Sequence, residues 1–336
     1  MKRRKLLNQL DLNTLSKNDQ VDHFLVIRKI ELRSTRAGKD FLSTELGDKT
    51  ASLNASIWEG FAEIAAKGKT GDVVKVTGTI EEYQGALQIR IASVKLATAA
   101  DNVSPKDFLP ESKRNLEEMK KEFNQIIKSI SDVHLSNLTK QVFSVERFEM
   151  FCNAPAGKSW HHAYIHGLLE HTLEIIKICE LMCEFHNELN RDLLIAGAML
   201  HDVGKIEELS FDSSFDYTDK GKLVGHIVIV SNLVRDEIKT IPGFPVELEN
   251  NLVHLILSHQ GKLEHASPVV PKTVEAIALY QADELSAKVN AYKNALNSEI
   301  RGDSNWTRYI PLADTDLHKH NVTPEKKEKI NKSLFE

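Results

Sequence analysis

Five short strings in the second half of the chain contain the residue types that bind metals. They lie in or at the end of segments with helical periodicity and contain His171, His201-Asp202, His226, His259 and Asp283. In the adjacent pair His201-Asp202, a neutral imidazole and a carboxylate can bind the same divalent cation. Such a pair also occurs often by chance, so the interpretation depends on the other four strings. Together the five strings indicate a metal site built from several helices.

The segments around these residues predict how such a site would be assembled. His171 shares a predicted helix face with Leu168 and Ile175, where a lone histidine is usually a core residue rather than a ligand. Asp283 interrupts an apolar helix predicted over residues 274–285, and a carboxylate there is costly unless it is paired or bound to a metal. The polar residues therefore mark positions where apolar helices would meet around a cation.

The order His…His-Asp…His…His…Asp resembles the HD-domain superfamily of metal-dependent phosphohydrolases, in a version with enough ligands for two metals. The ligands that this resemblance implies are His171, His201, Asp202 and Asp283 for one cation, with His226 and His259 for a second. Asp202 would then bridge two metals about 3.5–4 Å apart. The alternative for His226 and His259 is that they only orient the phosphate of the substrate.

Lys205 follows the metal pair by one helical turn, in the string His-Asp-Val-Gly-Lys. The resemblance implies that this lysine lies over the site, where its charge would neutralise a phosphate or its proton would reach the leaving oxygen. A surface lysine is the alternative. Lys205 and Asp202 are the residues that we expect to be catalytic.

Residues 158–172 form the most specific string, a His-His-x-Tyr sequence that leads into Gly-Leu-Leu-Glu-His-Thr. This string resembles the YhaM family of bacterial 3′→5′ exoribonucleases, whose members join an N-terminal OB domain to a C-terminal HD domain. The resemblance implies that His161 and His162 face the substrate, with helix capping as the alternative for one of them. His166 departs from the small residue, such as glycine, expected there. It is either a local substitution or an added phosphate contact.

Residues 21–97 alternate between apolar and polar side chains, which is typical of half-buried strands. Three strands, a short helical piece at 60–67 and two further strands resemble the OB-fold, a five-stranded barrel. OB-folds often bind single strands through stacked aromatic residues and a basic groove. The candidate contacts are Arg33, Arg36, Lys39, Phe41 and Tyr83, together with Trp58 and Arg90. The alternative is that Phe41 and Trp58 close the barrel and that the basic residues lie in a solvated loop.

These patterns predict a multidomain protein with α and β parts. An N-terminal five-stranded OB-type barrel in residues 1–97 is followed by a linker at 98–112, an all-α HD domain at 113–310 and a C-terminal tail at 311–336. The linker is rich in Asp, Asn, Ser and Pro. Beyond it, apolar residues recur at every third or fourth position, as on a helix face.

The composition is that of an ordinary globular protein, with 41% hydrophobic and 27% charged residues among 336. No apolar run approaches the ~18 residues that suggest a membrane helix, and the start lacks the apolar region of a signal peptide. Three cysteines are too few for a disulfide framework, so we expect a protein of the reducing cytoplasm. Because no membrane helix is predicted, we also expect no contact with a membrane. Residues 1–97 carry 16 Lys and Arg against 12 Asp and Glu, a surplus compatible with nucleic-acid binding.

The resemblance implies a metal-dependent 3′→5′ exoribonuclease that hydrolyses single-stranded RNA to nucleoside 5′-monophosphates, with single-stranded DNA and a homo-oligomer left open. Two divalent cations are expected, Mn²⁺ before Co²⁺, Fe²⁺ or Mg²⁺, because a histidine-rich ligand set disfavours Mg²⁺.

Two other classes of function are weighed against this one. An HD phosphohydrolase acting on a nucleotide or cyclic dinucleotide would not need the barrel. A single-strand nucleic-acid-binding protein with a non-catalytic HD site would not need the full ligand set.

Overall fold

The N-terminal part of the chain is a closed five-stranded barrel. The structure is a computed structural model that describes residues 9–35, 37–83, 85–211, 214–298 and 304–320. The elements of the barrel are β1 (Gln20–Ser34), β2 (Asp40–Gly47), β3 (Ser52–Ile57), α1 (Ala62–Lys67), β4 (Val73–Tyr83) and β5 (Ala86–Leu96). Around the barrel the strands follow the order β1-β2-β3-β5-β4, and the β3–β5 pair is parallel. The predicted OB-type barrel, with its helix between the third and fourth strands, is confirmed.

The alternating side chains of the strands fill the interior of this barrel. Val74, Val76 and Ile80 of β4 point inward and are fully buried. The register between β4 and β5 shifts at Gly78, where an added Cβ would lie 2.3 Å from the carbonyl oxygen of Arg90. Glycine is therefore required at this irregularity, because any side chain would collide with the neighbouring strand.

The segment between the barrel and the helices is packed onto the barrel. It contains two short 3₁₀ turns, Ala99–Asp101 and Pro105–Phe108. The ring of Phe108 is 2% exposed and packs with Val26 and Val73 in a small apolar cluster of its own. The guanidinium of Arg28 donates a hydrogen bond of 2.8 Å to the carbonyl oxygen of Phe108. The segment is thereby fixed at Phe108 to the outside of β1 and β4.

The end of the same segment is paired with the helical part of the chain. The backbone N–H of Ile165 donates to the carbonyl of Pro110 at 2.8 Å, and the N–H of Ser112 donates to the carbonyl of Ile165 at 3.0 Å. Glu111, between them, accepts an ion-pair contact of 2.6 Å from Lys49 of the barrel. Ile165 lies directly before the helix that carries His171, so the connecting segment contacts both the barrel and the loop of His161 and His162.

The C-terminal part of the chain is helical and surrounds one large apolar core. Its helices are α2 (Leu116–Ser129), α3 (Val133–Val142), α4 (Val145–Asn153), α5 (Gly167–Phe185), α6 (Arg191–Leu200), α7 (Lys205–Glu208), α8 (Asp219–Val224), α9 (His226–Ile238), α10 (Val246–Ser258) and α11 (Val274–Ser298). A two-stranded sheet of β6 (Leu209–Ser210) and β7 (Asp216–Tyr217) interrupts the predicted all-α pattern. Helix α6 packs against α5 and α10, and α10 packs against α9.

Residues 288–336 form a second compact unit. Within its described part, Trp306 pairs with His318 and Ile310 pairs with Thr315 as isolated β-bridges. The predicted charged end at 324–329 lies outside the described residues. Within the described ranges, no helix has both the length and the apolar content to cross a bilayer.

Replacing Phe108 by alanine should lower the free energy of unfolding by about 3 kcal/mol, because truncating a buried ring leaves a cavity. Urea unfolding followed by fluorescence measures this change. The matched control is Phe185→Ala, whose ring is 68% exposed and whose loss should change stability little. Equal stability of the two variants would contradict the docking of this segment.

Candidate metal centre

The ends of the apolar helices bring the six predicted ligands together. The ligands come from five places in the fold: His171 within α5, His201 and Asp202 directly after α6, His226 at the start of α9, His259 directly after α10 and Asp283 within α11. His171, His201, Asp202 and His259 are fully buried, and His226 and Asp283 are partly exposed. The distant parts of the sequence therefore converge on one polar site inside an apolar core.

The two carboxylate oxygens of Asp202 face different groups of ligands. On one side, Asp202 Oδ2 lies 3.3 Å from Nε2 of His201 and 3.8 Å from Nε2 of His171. On the other side, Asp202 Oδ1 lies 3.4 Å from Nε2 of His226 and 3.7 Å from Nε2 of His259. Asp283 completes the first group, with Oδ1 3.0 Å from Nε2 of His171. Two groups could each hold a cation, His171, His201 and Asp283 on one side and Asp202, His226 and His259 on the other. Oδ2 of Asp202 also faces the first group, so this carboxylate lies between the two.

Hydrogen bonds at Nδ1 leave Nε2 of the histidines for a cation. Nδ1 of His201 donates to the carbonyl of Ala198 at 2.8 Å, and Nδ1 of His259 donates to the carbonyl of Ile256 at 2.7 Å. A carbonyl oxygen only accepts, so Nδ1 carries a proton, and in the neutral imidazole that binds a metal Nε2 then carries the lone pair. Hydrogen bonds of this kind orient metal-binding histidines.

Buried atoms without partners test whether a cation fits this site. Nε2 of His171, Nε2 of His201 and Oδ1 of Asp202 have no hydrogen-bond partner within the described ranges. Buried polar atoms are nearly always satisfied, and three such acceptors around one carboxylate are costly unless a cation binds them. The residues fit a divalent metal.

Burial and neighbouring charges determine the protonation of the centre. Burial raises the pKa of Asp202, but the ammonium of Lys205 and the imidazole of His201 hold it well below its usual range. Burial lowers the pKa of Lys205, yet the attraction of Asp202 and Asp283 raises it above its usual value. Burial lowers the pKa of His259 to about 4, so this imidazole is neutral at pH 7 and able to bind a metal.

Lys205 and two of the predicted substrate-side histidines lie next to the ligands. Nζ of Lys205 is 2.6 Å from Oδ2 of Asp202. The ring centroids of His161 and His162 are 4.8 and 4.9 Å from that of His171. Burial lowers the pKa of His161 well below its usual value, so its ring is neutral.

His166 occupies a structural position at the start of α5. Its backbone has φ +69°, in the left-handed region, and its Nδ1 donates a hydrogen bond of 2.6 Å to the carbonyl of Cys152. Glycine adopts this conformation without steric cost, which explains why a small residue was expected there. A role of His166 in binding phosphate stays a prediction.

The barrel residues predicted to bind nucleic acid lie on one face. Arg33, Phe41 and Tyr83 line a groove of about 1190 Å³ together with Trp58 and Arg90. The rings of Phe41 and Trp58 stack with centroids 4.5 Å apart, and Nζ of Lys39 lies 5.7 Å from the Trp58 ring centroid. Trp58 is 44% and Tyr83 61% exposed, so both rings can be reached from solvent. Arg36 lies outside the described residues.

Sequence reasoning missed two residues that orient the ligands. Oε1 of Glu208 accepts hydrogen bonds from the backbone N–H of His226 at 3.0 Å and from its Nδ1 at 2.9 Å. Oγ of Ser286 lies 3.0 Å from Nδ1 of His171. Glu208 belongs to an ordinary Glu-Glu pair and carries no sequence signal. The spacing of three residues between Asp283 and Ser286, which puts both on one helix face, is a signal that could have identified Ser286.

Comparisons with known proteins agree with both parts of the fold. The model of the HD domain family matches residues 168–288, and the model of the OB-fold nucleic acid binding domain matches residues 26–97. The fold and the His/Asp centre define a hydrolase of the HD class, which binds divalent metal, joined to an OB-fold domain.

Relatives of similar length identify the family. The chain is 34% identical to the 3′-5′ exoribonuclease YhaM of Geobacillus sp. (strain WCH70) over 286 residues, which cover 85% of this chain and 87% of that protein. It is also 34% identical to the YhaM proteins of Shouchella clausii (strain KSM-K16) and Listeria monocytogenes serotype 4b (strain CLIP80459), of which 89% and 90% are covered. The chain belongs to the YhaM family, as the sequence predicted.

Excess Mn²⁺ should raise the Tm of the wild-type chain, because a ligand at 100 times its Kd stabilises the folded state by about 2.7 kcal/mol. Asp202→Ala should lose most of this shift, since Asp202 faces both ligand groups. Thermal unfolding with Mn²⁺ and with chelator measures the difference. The control is Asp236→Ala, whose carboxylate is 72% exposed. A full Mn²⁺ shift in Asp202→Ala would contradict the assigned site.

Proposed function

We propose that this chain is a metal-dependent 3′→5′ exoribonuclease that hydrolyses single-stranded RNA to nucleoside 5′-monophosphates. The observation that carries the proposal is the position of Asp202, whose two carboxylate oxygens face different groups of histidines. Paired metal sites of this kind serve enzymes that displace groups at phosphorus. The names of the relatives support the RNA substrate and the direction of degradation.

Two divalent cations per chain, with Mn²⁺ preferred, are part of this proposal. One cation is held by His171, His201, Asp202 and Asp283, and the other by Asp202, His226 and His259. Four imidazoles favour a first-row transition metal over Mg²⁺, which prefers oxygen ligands and retained waters. Elemental analysis of the purified chain counts the metals directly.

The residues around the cations have distinct roles in the proposed reaction. When bound, the metals would lower the pKa of a water molecule and neutralise charge on the phosphate. The ammonium of Lys205, held beside Asp202, stabilises negative charge that develops on the phosphate oxygens. His161 is neutral, and its buried Nδ1 has no hydrogen-bond partner within the described ranges, so this atom can contact the phosphodiester.

The barrel holds the upstream part of the strand in this proposal. Stacked aromatic rings bind bases without regard to sequence, and neighbouring cations bind the backbone phosphates. Phe41, Trp58 and Tyr83 supply the rings, and Lys39 and Arg90 supply positive charge on the same face. Arg33 is engaged with Glu31 at 2.6 Å, so its charge is partly neutralised. Stacking does not require a 2′-hydroxyl, and we propose that single-stranded DNA binds in the same groove.

Incubation of a 5′-labelled RNA oligonucleotide with Mn²⁺ should give a ladder of shortened products that keep the label. Mutating a residue that only orients a metal ligand typically lowers activity by up to about 100-fold. Asp202→Ala removes a proposed ligand itself, so it should lower the rate of RNA hydrolysis by more than this, while the variant still binds the oligonucleotide. Gel electrophoresis and chromatography of the released nucleotides measure direction and product. A DNA oligonucleotide of the same sequence tests whether single-stranded DNA is also a substrate.

Three outcomes of this assay would overturn the proposal. Early release of a labelled mononucleotide would indicate the opposite direction. Hydrolysis of mononucleotides or cyclic dinucleotides without attack on RNA would indicate a small-molecule phosphohydrolase. Metal-independent binding without hydrolysis would indicate a binding protein with a non-catalytic centre.

Trp58→Ala should weaken binding of a long single-stranded RNA by about 1–3 kcal/mol, the contribution of one stacked base. Hydrolysis of a chromogenic phosphodiester should stay unchanged, because Trp58 belongs to the barrel and not to the metal centre. Fluorescence anisotropy and absorbance measure the two effects. Trp306→Ala, which removes a ring of similar exposure outside the barrel, is the control. If Trp58→Ala binds RNA as tightly as the wild type does, this groove does not hold the strand and that part of the proposal is wrong.

A further inference from the structure

One carboxylate of α5 contacts both the metal centre and the substrate-side loop. Glu174 lies one turn after His171. Its Oε2 accepts a hydrogen bond of 2.8 Å from Oγ of Ser286, whose oxygen lies 3.0 Å from Nδ1 of His171. The same Oε2 lies 3.2 Å from Nε2 of His162. Ser286, His162 and His171 are buried, whereas the side chain of Glu174 is 38% exposed, so the carboxylate contacts the buried groups from the edge of the core.

The single proton of the Ser286 hydroxyl determines the direction of these hydrogen bonds. A serine hydroxyl can donate or accept, so Ser286 alone would accept either tautomer of His171. An ionised carboxylate only accepts, and the Ser286 proton is therefore directed to Glu174. The oxygen of Ser286 is then left to accept a hydrogen bond from the Nδ1–H of His171. Nε2 of His171 keeps its lone pair on the side of Asp202 and Asp283.

The other ligand histidines reach the same state with simpler partners. His201 and His259 donate from Nδ1 to backbone carbonyls, which cannot donate in return. His226 meets the carboxylate of Glu208 directly. His171 is the one of these four whose Nδ1 partner is a hydroxyl, and Glu174 removes the ambiguity that a hydroxyl introduces.

The substrate-side loop is held closely against the helix that carries Glu174. The carbonyl oxygen of His162 lies 2.0 Å from the position that a Cβ on Gly167 would occupy, so only glycine permits this approach. His162 itself has φ +43°, in the left-handed region. A side-chain contact from Glu174 to His162 therefore acts on a ring whose backbone is already tightly placed.

We propose that Glu174 is a positioning residue that fixes the tautomer of His171 through Ser286 and orients His162 directly. This inference rests on the proposed role of His171 as a metal ligand. One carboxylate then adjusts the first cation site and the substrate-side loop together.

The test compares Glu174→Gln and Ser286→Ala in the full-length chain, with Glu184→Gln as the control. Glu184 lies on the same helix, is exposed and loses the same charge. Long-range ¹H–¹⁵N spectra of the metal-free chain report the tautomer of each histidine, and a His171→Gln variant assigns the His171 signal. We expect the His171 signal to change from a single Nδ1–H form to a mixture in both test variants and to stay unchanged in the control.

Metal affinity gives a second measurement that does not depend on RNA hydrolysis. Titration with Co²⁺ followed by visible absorption should show about a 10–100-fold loss at one of two sites in Glu174→Gln, the range for residues that orient ligands. The double variant should be no weaker than Ser286→Ala alone, since Glu174 acts through Ser286. The KM for RNA should rise more in Glu174→Gln than in Ser286→Ala, because only Glu174 also contacts His162.

The outcomes separate this inference from the proposed function. An unchanged His171 tautomer and unchanged Co²⁺ affinity in Glu174→Gln would overturn it, as would an equal loss of affinity in the Glu184→Gln control. Additive losses in the double variant would overturn the route through Ser286. Equal KM values would overturn the contribution of His162. A tautomer change in a chain that binds Co²⁺ but leaves RNA intact would support the positioning role and refute the exoribonuclease.

Discussion

A fully buried carboxylate must be compensated by positive charge, and Asp202 imposes this requirement on the whole helical domain. Both of its oxygens are surrounded, one by Lys205 and His201 and the other by His226 and His259. These groups come from three separate segments, so the helices must end where their polar residues can meet. Apolar packing determines that the helices assemble, and this carboxylate determines where their ends lie.

The C-terminal ends of α6 and α10 have the same local hydrogen bond, from a histidine ring to a backbone carbonyl. His201 and His259 each follow the last helical residue and donate from Nδ1 to the carbonyl three residues earlier. Carbonyls in the last turn of a helix lack partners within the helix, so the histidine ring satisfies one of them. The same bond turns Nε2 forward, away from the helix. Helix termination and ligand orientation are therefore one interaction at these two positions.

The sequence predicted what local patterns encode and missed what distant contacts create. Period-two alternation identified the strands, and polar residues within or at the ends of apolar helices predicted the cluster that the structure brings together. Glu208 meets His226 across 18 residues and leaves no local trace. Ser286 meets His171 across 115 residues, and its only local signal is its helical spacing from Asp283. The docking of Phe108 on the barrel also could not be predicted, because a phenylalanine in a polar segment does not indicate which surface it packs against. These pairings follow from tertiary packing alone.

The short connection between the two domains determines how they can move. Phe108 is fixed to the barrel, and Glu111, three residues later, pairs with Ile165 of the helical domain. Three residues span at most roughly 10 Å, so the barrel is not a module on a flexible tether. In the proposed reaction, a strand held in the groove would reach the metal centre across a nearly constant number of nucleotides. Once trimming leaves a strand shorter than this span, the benefit of two linked sites is lost. Under the proposed function, the domain connection would therefore set the length of the shortest product that accumulates.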